Sequence, residues 1–490
     1  MRPIRILIAG YYGFHNIGDE AILLSMLRGL REGRPETEVA VVSYHPEWTS
    51  RTYGVHSLSC FDADSIHRAV RAADVVIIGG GGLFHDYWGI DPHLLLTSNH
   101  SGIVYYAGIG LLAVLYQKPL MLYAVGVGPL LTEDGRQLTK ALFSIASWKT
   151  VRDTYSKDAL DSMGVDTSEI QVVPDPSIGI GIASRERVEE IFRNESVSLT
   201  RPLVGVAIRN WDVGVSPESW EKEVANALDR FLRERGGKVL FIPFQKLEGR
   251  LEDDANVMGR VIRWMERSSQ ARILNGLYSP EEIRGIVSHC DLLIGMRFHS
   301  VLFGVMGEVP LVAIGYDPKV GSLMKDCGYE ENLIGIEDIR SDKVKKTLDG
   351  AFDHAEEINR RFKEVSSLMR MKNEESLRAA HHFLDSQRVS TYADAGGLAL
   401  LLHHLLQGHE TLNKGFSENK RTLVEKESLL SQLAMAQVQL NQANEALQII
   451  RHSRTWKLNQ AVGKRLYGTK IGRVLEKFAD YCLKNRNEDR

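Results

Sequence analysis

The sequence predicts an α/β fold of two Rossmann-like domains facing one another across a cleft, followed by a C-terminal helical and coiled-coil tail. Short β-branched runs alternate with helix-length amphipathic stretches from residue 4 to about 180, the signature of parallel strands with helical crossovers. The same alternation restarts after residue 200, and every chemistry-bearing motif falls just past a strand. A chain of 490 residues also exceeds one ordinary domain, because single cores stop growing near ~250 to 300 residues.

In the first domain, 1–185, strands are expected at Ile4 to Ala9, Glu38 to Ser43, Val75 to Gly79, Pro119 to Val125, Lys149 to Val151 and Ile170 to Val173. A helix is expected over Ala21 to Arg31. Pro174 and Pro176 cannot continue a ladder, so they end the last strand and set the boundary. In the second domain, 200–345, strands are expected at Leu203 to Ile208, Lys238 to Pro243, Asp291 to Gly295 and Pro310 to Ile314, with helices over Ser219 to Arg235 and Pro280 to Ser288. A helical extension covers 346–408. In 422–452, Leu429, Leu433, Ala436, Leu440, Ala443, Leu447 and Ile450 recur at alternating steps of four and three, the seam of a coiled coil. The last segment, 453–490, is a basic amphipathic tail: from Arg451 onward there are eleven Lys and Arg against four Asp and Glu, with Trp456, Tyr467 and Phe478 interleaved.

A composition of 43% hydrophobic and 25% charged residues is that of a chain able to bury large cores. A net charge of -3 gives the whole molecule no strong field for nucleic acid or an anionic membrane, so no nucleic-acid partner is expected and any membrane contact is local to the tail. Cys60, Cys290, Cys327 and Cys482 are scattered, without zinc-ligand spacing, and read as reduced thiols. No compact ligand set for a metal is evident, and none is expected. Ile103 to Leu115 is too short to span a bilayer and reads as a buried helix. With no signal-peptide pattern at the N-terminus, the expected location is the cytoplasm, peripheral at most to the inner face of its membrane.

Four stretches carry the chemistry. Gly10 to Glu20 links the first strand to the first helix; Gly13 and Gly18 let backbone approach a ligand, while Asn16, Asp19 and Glu20 suit either a site or the caps of a helix. Gly79 to Gly82 is expensive in backbone entropy and implies a turn or close approach through Gly80, Gly81 and Gly82, with His85 and Asp86 at the mouth of the cleft. Arg209 follows the first strand of the second domain, where a guanidinium grips carboxylate or phosphate bidentately, unless it is only a surface ion pair. Finally Gly295-Met296-Arg297-Phe298-His299-Ser300 runs from strand to helix, with fixed positive charge on Arg297 and an imidazole on His299 able to donate a hydrogen bond or a proton.

In this order, and together with Ser147 to Asp153, Pro174-Asp175-Pro176, Ile242 to Gln245 and Gly315 to Lys319, these stretches resemble the polysaccharide pyruvyl transferase family over about residues 4 to 330. The resemblance implies a glycosyltransferase-B-like fold and an enzyme that moves the enolpyruvyl group of phosphoenolpyruvate onto two hydroxyls of one sugar as a cyclic ketal. It needs no cofactor beyond phosphoenolpyruvate as co-substrate. The partner is a saccharide or lipid-linked saccharide of a cell-surface polysaccharide. A donor with both a carboxylate and a phosphate needs clustered cations, which Arg209, Arg297 and Lys319 supply, beside Phe298 and His299. His299 is the candidate acid or phosphate partner, and Asp19 or Asp86 the candidate base. Gly13, Asn16, Gly18, Gly80, Gly81 and Gly82 line the acceptor side.

Two other readings share the architecture. A nucleotide-sugar glycosyltransferase of the same fold generally places a glutamate where this chain has Arg297 to Ser300. A non-catalytic scaffold would use the coiled coil to assemble a glycan-synthesis complex. The heptad helix and Ser453-Arg454-Thr455-Trp456-Lys457-Leu458 look like the tail of some envelope-glycan glycosyltransferases, pointing to a homo-oligomer or attachment to membrane-bound machinery. Truncation near residue 410 is therefore expected to leave transfer intact while abolishing recovery of the protein with membranes; unchanged fractionation would remove the anchoring role.

Overall fold

The computed structural model describes residues 3–386, apart from 33, 98, 101 and 248–252. The expected coiled coil at 422–452, the tail at 453–490 and the end of the 346–408 extension lie outside the described residues.

The first sheet holds β1 (Arg5–Ala9), β2 (Glu38–Ser43), β3 (His56–Ser59), β4 (Val75–Phe84), β5 (Leu120–Val127), β6 (Trp148–Val151) and β7 (Gln171–Val172), in the order β3-β2-β1-β4-β5-β6-β7. The second holds β8 (Leu203–Ala207), β9 (Lys238–Phe241), β10 (Ala271–Ile273), β11 (Leu292–Gly295), β12 (Leu311–Gly315) and β13 (Leu333–Gly335), in the order β10-β9-β8-β11-β12-β13. All these pairings are parallel. Helices cover both faces, which is why β5 and β8 are buried along their whole length and read as unbroken apolar runs.

Each sheet reverses its strand order once, between β1 and β4 and between β8 and β11. Ligands of open α/β sheets sit at such switch points, beyond the strand C-termini. The four motifs leave from these four strands, so the topology alone gathers them at two crevices.

Three strands went unread in the sequence: β3, β10 and β13 are edge or near-edge strands of four, three and three residues, too short to show a period. The first helix also starts earlier than Ala21. It spans Ile17–Arg31, with the Asn16 side chain accepting from Gly18 N at 3.1 Å, acids Asp19 and Glu20 in its first turn and Arg28 and Arg31 in its last. The Asn16 cap and the basic last turn favour the helix, the latter through its dipole.

The glycine run differs more. It was expected as a turn past the strand, but Gly79 to Gly82 belong to β4, with a register shift against β5 between Gly81 and Phe84. The first helix lies so close that a Cβ on Gly80 would meet Ile22 Cγ2 at 1.9 Å, and one on Gly81 would meet Asp19 Oδ1 at 2.6 Å. Both glycines also have positive φ, +71° and +85°. Helix-to-strand packing demands them.

The chain crosses to the second sheet through Pro176–Gly179. Ile178 and Ile180 already belong to the second core. The described part of the helical stretch at 346–408 comprises Ser341–Asp353 and the long helix Ala355–Ser386. This last helix returns to the first sheet, placing Ala380 and Leu384 in the core with Ile6, Tyr12 and Met26. The helix Ile103–Leu115 is buried as expected, and among the described residues no helix is long and apolar enough to cross a membrane. Cys60, Cys290 and Cys327 are buried free thiols.

Gly80→Ala is expected to destabilise the protein by about 2 to 4 kcal/mol, the sum of overpacking against Ile22 and a strained φ. Gly350, in the helix Ser341–Asp353, has nothing within 4 Å of a built Cβ, so Gly350→Ala is expected to stabilise by about 0.5 to 1 kcal/mol. Urea unfolding of the two variants checks the contrast.

Candidate active site

Gly295 of β11 pairs with Ala207 of β8, so Arg297 and Arg209 leave neighbouring strands two residues past the same rung. Their surroundings then diverge. Arg297 is buried and donates from Nε to Asp254 Oδ2 at 2.8 Å and from Nη2 to Asp254 Oδ1 at 2.6 Å, and Nη2 also reaches Gln245 Oε1 at 3.0 Å. Burial alone would lower the guanidinium pKa; the Asp254 carboxylate outweighs it, raises it and fixes the cation. Asp254 also accepts from the backbone of Phe244 and Gln245, each at 3.0 Å. Arg297 is therefore not the open guanidinium expected of half a phosphate clamp, since two of its nitrogens are already engaged.

This cluster also joins the two halves. Gln245 Nε2 donates to Tyr11 Oη at 3.3 Å, Ile17 N donates to Phe244 O at 2.7 Å, and Asn16 forms an isolated antiparallel bridge with Gln245. Asn16 thus serves as helix cap and inter-sheet contact.

His299, in the first turn of the helix Phe298–Met306, lies against that same first helix. A Cβ on Gly18 would meet His299 Nδ1 at 1.8 Å, so only glycine fits there. On its other side His299 Nε2 stands 3.4 Å from Asp175 Oδ2, an ion-pair distance without hydrogen-bond alignment. Asp175 also faces Arg152 Nη1 at 3.3 Å and accepts from Ser177 N at 3.0 Å. Burial would raise the Asp175 carboxyl, but His299 and Arg152 overcome it and hold it well below the usual range. Arg152 lies over the Phe298 ring, 4.4 Å from its centroid. Asp19, in the same buried region, is pushed up to about 6 by burial, which exceeds the opposing pull of His299, Arg152 and Arg297. It is therefore poised near neutrality.

The remaining cations are contiguous with this group. A Cβ on Gly82 would lie 3.2 Å from Arg152 Nη2 and 3.6 Å from Lys319 Nζ. Lys319 pairs with Asp317 at 2.6 Å, and both Lys319 and Arg209 stand over the Tyr316 ring, 5.7 and 5.4 Å from its centroid. Arg209 forms no salt bridge among the described residues, and its Nε is buried without a hydrogen-bond partner. His85 reaches the same region. Burial first, then Lys319, push its imidazole down to about 4, so it is neutral at physiological pH.

Asp86 is a correction. Its Oδ1 accepts from Leu131 N at 2.5 Å, and its Oδ2 accepts from Thr132 N at 2.8 Å and Thr132 Oγ1 at 2.5 Å. A carboxylate so engaged ties two loops together and is not a free base. Gly13, with φ +77°, likewise serves structure: its N–H donates to Glu20 Oε1 at 2.8 Å, while Tyr53 donates to Oε2 at 2.9 Å. Glu20, pushed up to about 8 by burial, is a cap of this turn.

Among the described residues the site thus gathers Asp19, Arg209, Arg297, Phe298, His299 and Lys319, and adds Arg152, Asp175, Asp254, Tyr316 and Asp317, none of which had been given a role from sequence. Arg152 and Asp175 sit inside stretches already singled out. Asp254 has no such signal, because it lies in a helix start that looks like an ordinary acidic cap.

Two parallel Rossmann-like sheets with motifs from both switch points define the glycosyltransferase-B fold class. HepE of Anabaena, solved with UDP and glucose, superposes with a TM-score of 0.54 at 11% identity, covering 78% of this chain and 100% of that one. The UDP co-structure of MnaA from S. aureus superposes with 0.54 at 11% identity, covering 79% and 98%. These likenesses concern the fold alone. The chain belongs to the polysaccharide pyruvyl transferase family, whose model matches residues 16–318. It is also similar to the amylovoran biosynthesis protein AmsJ of Erwinia amylovora, 23% identical over 301 residues, 59% of this chain and 68% of that protein. The protein is accordingly a transferase with a role in polysaccharide pyruvylation.

Asp254→Ala is expected to cost about 3 to 5 kcal/mol, because it strands a buried guanidinium. The double replacement Asp254→Leu with Arg297→Met is expected to cost less than the single one. Denaturant unfolding of both variants decides; a single-variant loss under 1 kcal/mol would mean that Arg297 does not depend on its partner.

Proposed function

We propose that this protein transfers the pyruvyl unit of phosphoenolpyruvate to two hydroxyls of one sugar in a cell-surface polysaccharide or its lipid-linked precursor. The observation that carries the reading is the contiguity of Arg209, Lys319 and Arg152 with a buried His299 and Asp19 contributed by opposite halves of the molecule. Arg209 is the cation best placed to take a new anion, because among the described residues it forms no salt bridge and its buried Nε has no hydrogen-bond partner. Lys319 and Arg152 already hold carboxylates and add field rather than a vacant grip. Arg297 acts on the reaction by positioning Gln245 and the start of the His299 helix.

In the proposed chemistry a proton adds to the donor's methylene carbon, leaving an oxocarbenium-like centre at the carbon bearing phosphate. One sugar hydroxyl attacks that carbon and gives up its proton to a base. The carbon–oxygen bond to phosphate then breaks, and the second hydroxyl closes the ketal on the resulting oxocarbenium-like carbon, its proton leaving with the departing inorganic phosphate. His299 is the proposed acid or phosphate partner, and Asp19 the proposed base: near pH 7 a carboxyl raised to about 6 is ionised yet basic enough to accept a proton. The nucleotide-sugar alternative gains no support from the junction after β11, where a buried arginine and histidine stand.

Incubation with phosphoenolpyruvate and a saccharide is expected to release phosphate and add about 70 Da to the sugar, roughly the enolpyruvyl unit. Release of nucleotide from a nucleotide sugar, with no reaction of phosphoenolpyruvate, would replace this reading. Arg209→Ala is expected to raise KM for phosphoenolpyruvate at least ~10-fold while changing stability by no more than about 0.5 kcal/mol. Asp19→Asn is expected to lower kcat by about 10²-fold or more and to remove the acid limb of the pH profile. That limb rises with pH through about 6, because only the ionised carboxylate accepts a proton.

A further inference from the structure

We infer that the indole of Trp88 is the stacking platform on which the acceptor sugar lies, an inference that rests on the pyruvyl-transfer reading above. Trp88 is 67% exposed, although it is among the largest apolar side chains of the protein. A single exposed hydrophobic residue is ordinary on a protein surface, so exposure alone carries little. Its placement carries the argument.

Trp88 is held rather than free. Gly89 N donates to Asp86 O at 2.9 Å, and the Asp86 carboxylate grips the backbone of Leu131 and Thr132 at 2.5 and 2.8 Å, so the loop after β4 is anchored to the loop after β5. Asp86 thereby holds the loop that carries Trp88. The indole also reaches across the cleft. Its ring stands 6.5 Å from Trp211 of the second half at 66°, and Trp211 in turn stands 4.6 Å from Tyr316. Tyr316 is the ring that Arg209 and Lys319 both overlie. An aromatic path thus runs from the exposed Trp88, through buried Trp211, to the cations proposed for the donor.

A pyranose suits this arrangement. One face of the ring presents C–H groups polarised by their oxygens, complementary to the negative face of an indole, while its hydroxyls project at the edge. Stacking on Trp88 would hold two of its hydroxyls toward the donor without requiring a hydrogen-bond set specific to one sugar. A protein partner fits less well, since a stable interface needs about 1,000 Å² or more, whereas Trp88 is one exposed indole beside the buried Trp211. A nucleotide base could also stack here, and the test separates the two.

The test uses the full chain, with Trp88→Ala and Trp88→Phe, and methyl β-glucopyranoside, methyl β-galactopyranoside and mannotriose as probes. Saturation transfer from protein aromatic protons is expected to reach the C–H protons of at least one probe, to fall at least 5-fold in Trp88→Ala and to persist in Trp88→Phe. The rise in melting temperature on adding phosphoenolpyruvate is expected to be the same in wild type and Trp88→Ala, which also shows that the variant is folded. Equal transfer in Trp88→Ala, no transfer to any probe in wild type, or Trp88-dependent transfer to UMP in place of the sugars would each overturn the inference. Failure of phosphoenolpyruvate to shift the wild-type melting temperature would instead sink the donor reading, and is read independently of the sugar signal.

Discussion

A guanidinium and a carboxylate with almost no water around them hold the cleft together. Arg297 follows β11, Asp254 opens the helix Asp254–Trp264, and their two-pronged contact at 2.6 and 2.8 Å fixes both chain segments at once. Such a pair gains little over an apolar packing of the same volume, because desolvation cancels most of its attraction, but breaking it is expensive. Its value here is geometric. Through Gln245 and Phe244 it sets the contact with Asn16 and Ile17, and so brings the start of the first helix against the second sheet.

Everything electrostatic in the cleft follows from that approach. Gly18 admits His299 to backbone contact, which leaves its Nε2 3.4 Å from Asp175 Oδ2 and its charge acting on Asp19. The two carboxyls are both buried yet are driven in opposite directions: Asp175, beside Arg152 and His299, is held ionised, while Asp19 is raised to about 6. Pairs of buried carboxyls whose environments push them apart are a recurrent way of obtaining a fixed charge and a proton acceptor in one site. Gly81 and Gly82 complete the arrangement by leaving room for Asp19 on one face of β4 and for Arg152 and Lys319 on the other side of the wall.

The long buried strands and the first helix from Ala21 onward were legible in the sequence because period is a local property, and alternation gave the parallel pairing but not the strand order. The edge strands were not, since three or four residues carry no period. Strand ends that bear arginine or histidine next to glycine drew attention to Arg209, Arg297 and His299, which the structure sets against Tyr316, Asp254 and Asp175 respectively. What could not be read is which partner each charge finds. Asp254 lies 43 residues before Arg297 in the chain, and nothing local distinguishes it from a helix cap. Asp86 looked like a cleft base because it follows the glycines, whereas the backbone amides that occupy it belong to a loop 45 residues further on. The glycine run signalled close approach correctly but misnamed what approaches: Ile22 and Asp19 of the protein itself.

The most direct test is a crystal structure of the full chain with phosphoenolpyruvate bound. The account expects the donor's anionic groups on Arg209, within reach of Lys319 and Arg152, with Arg297 still gripping Asp254 by both nitrogens. A structure in which Arg297 has left Asp254 to bind the phosphate, with Arg209 turned away from the donor, would contradict it.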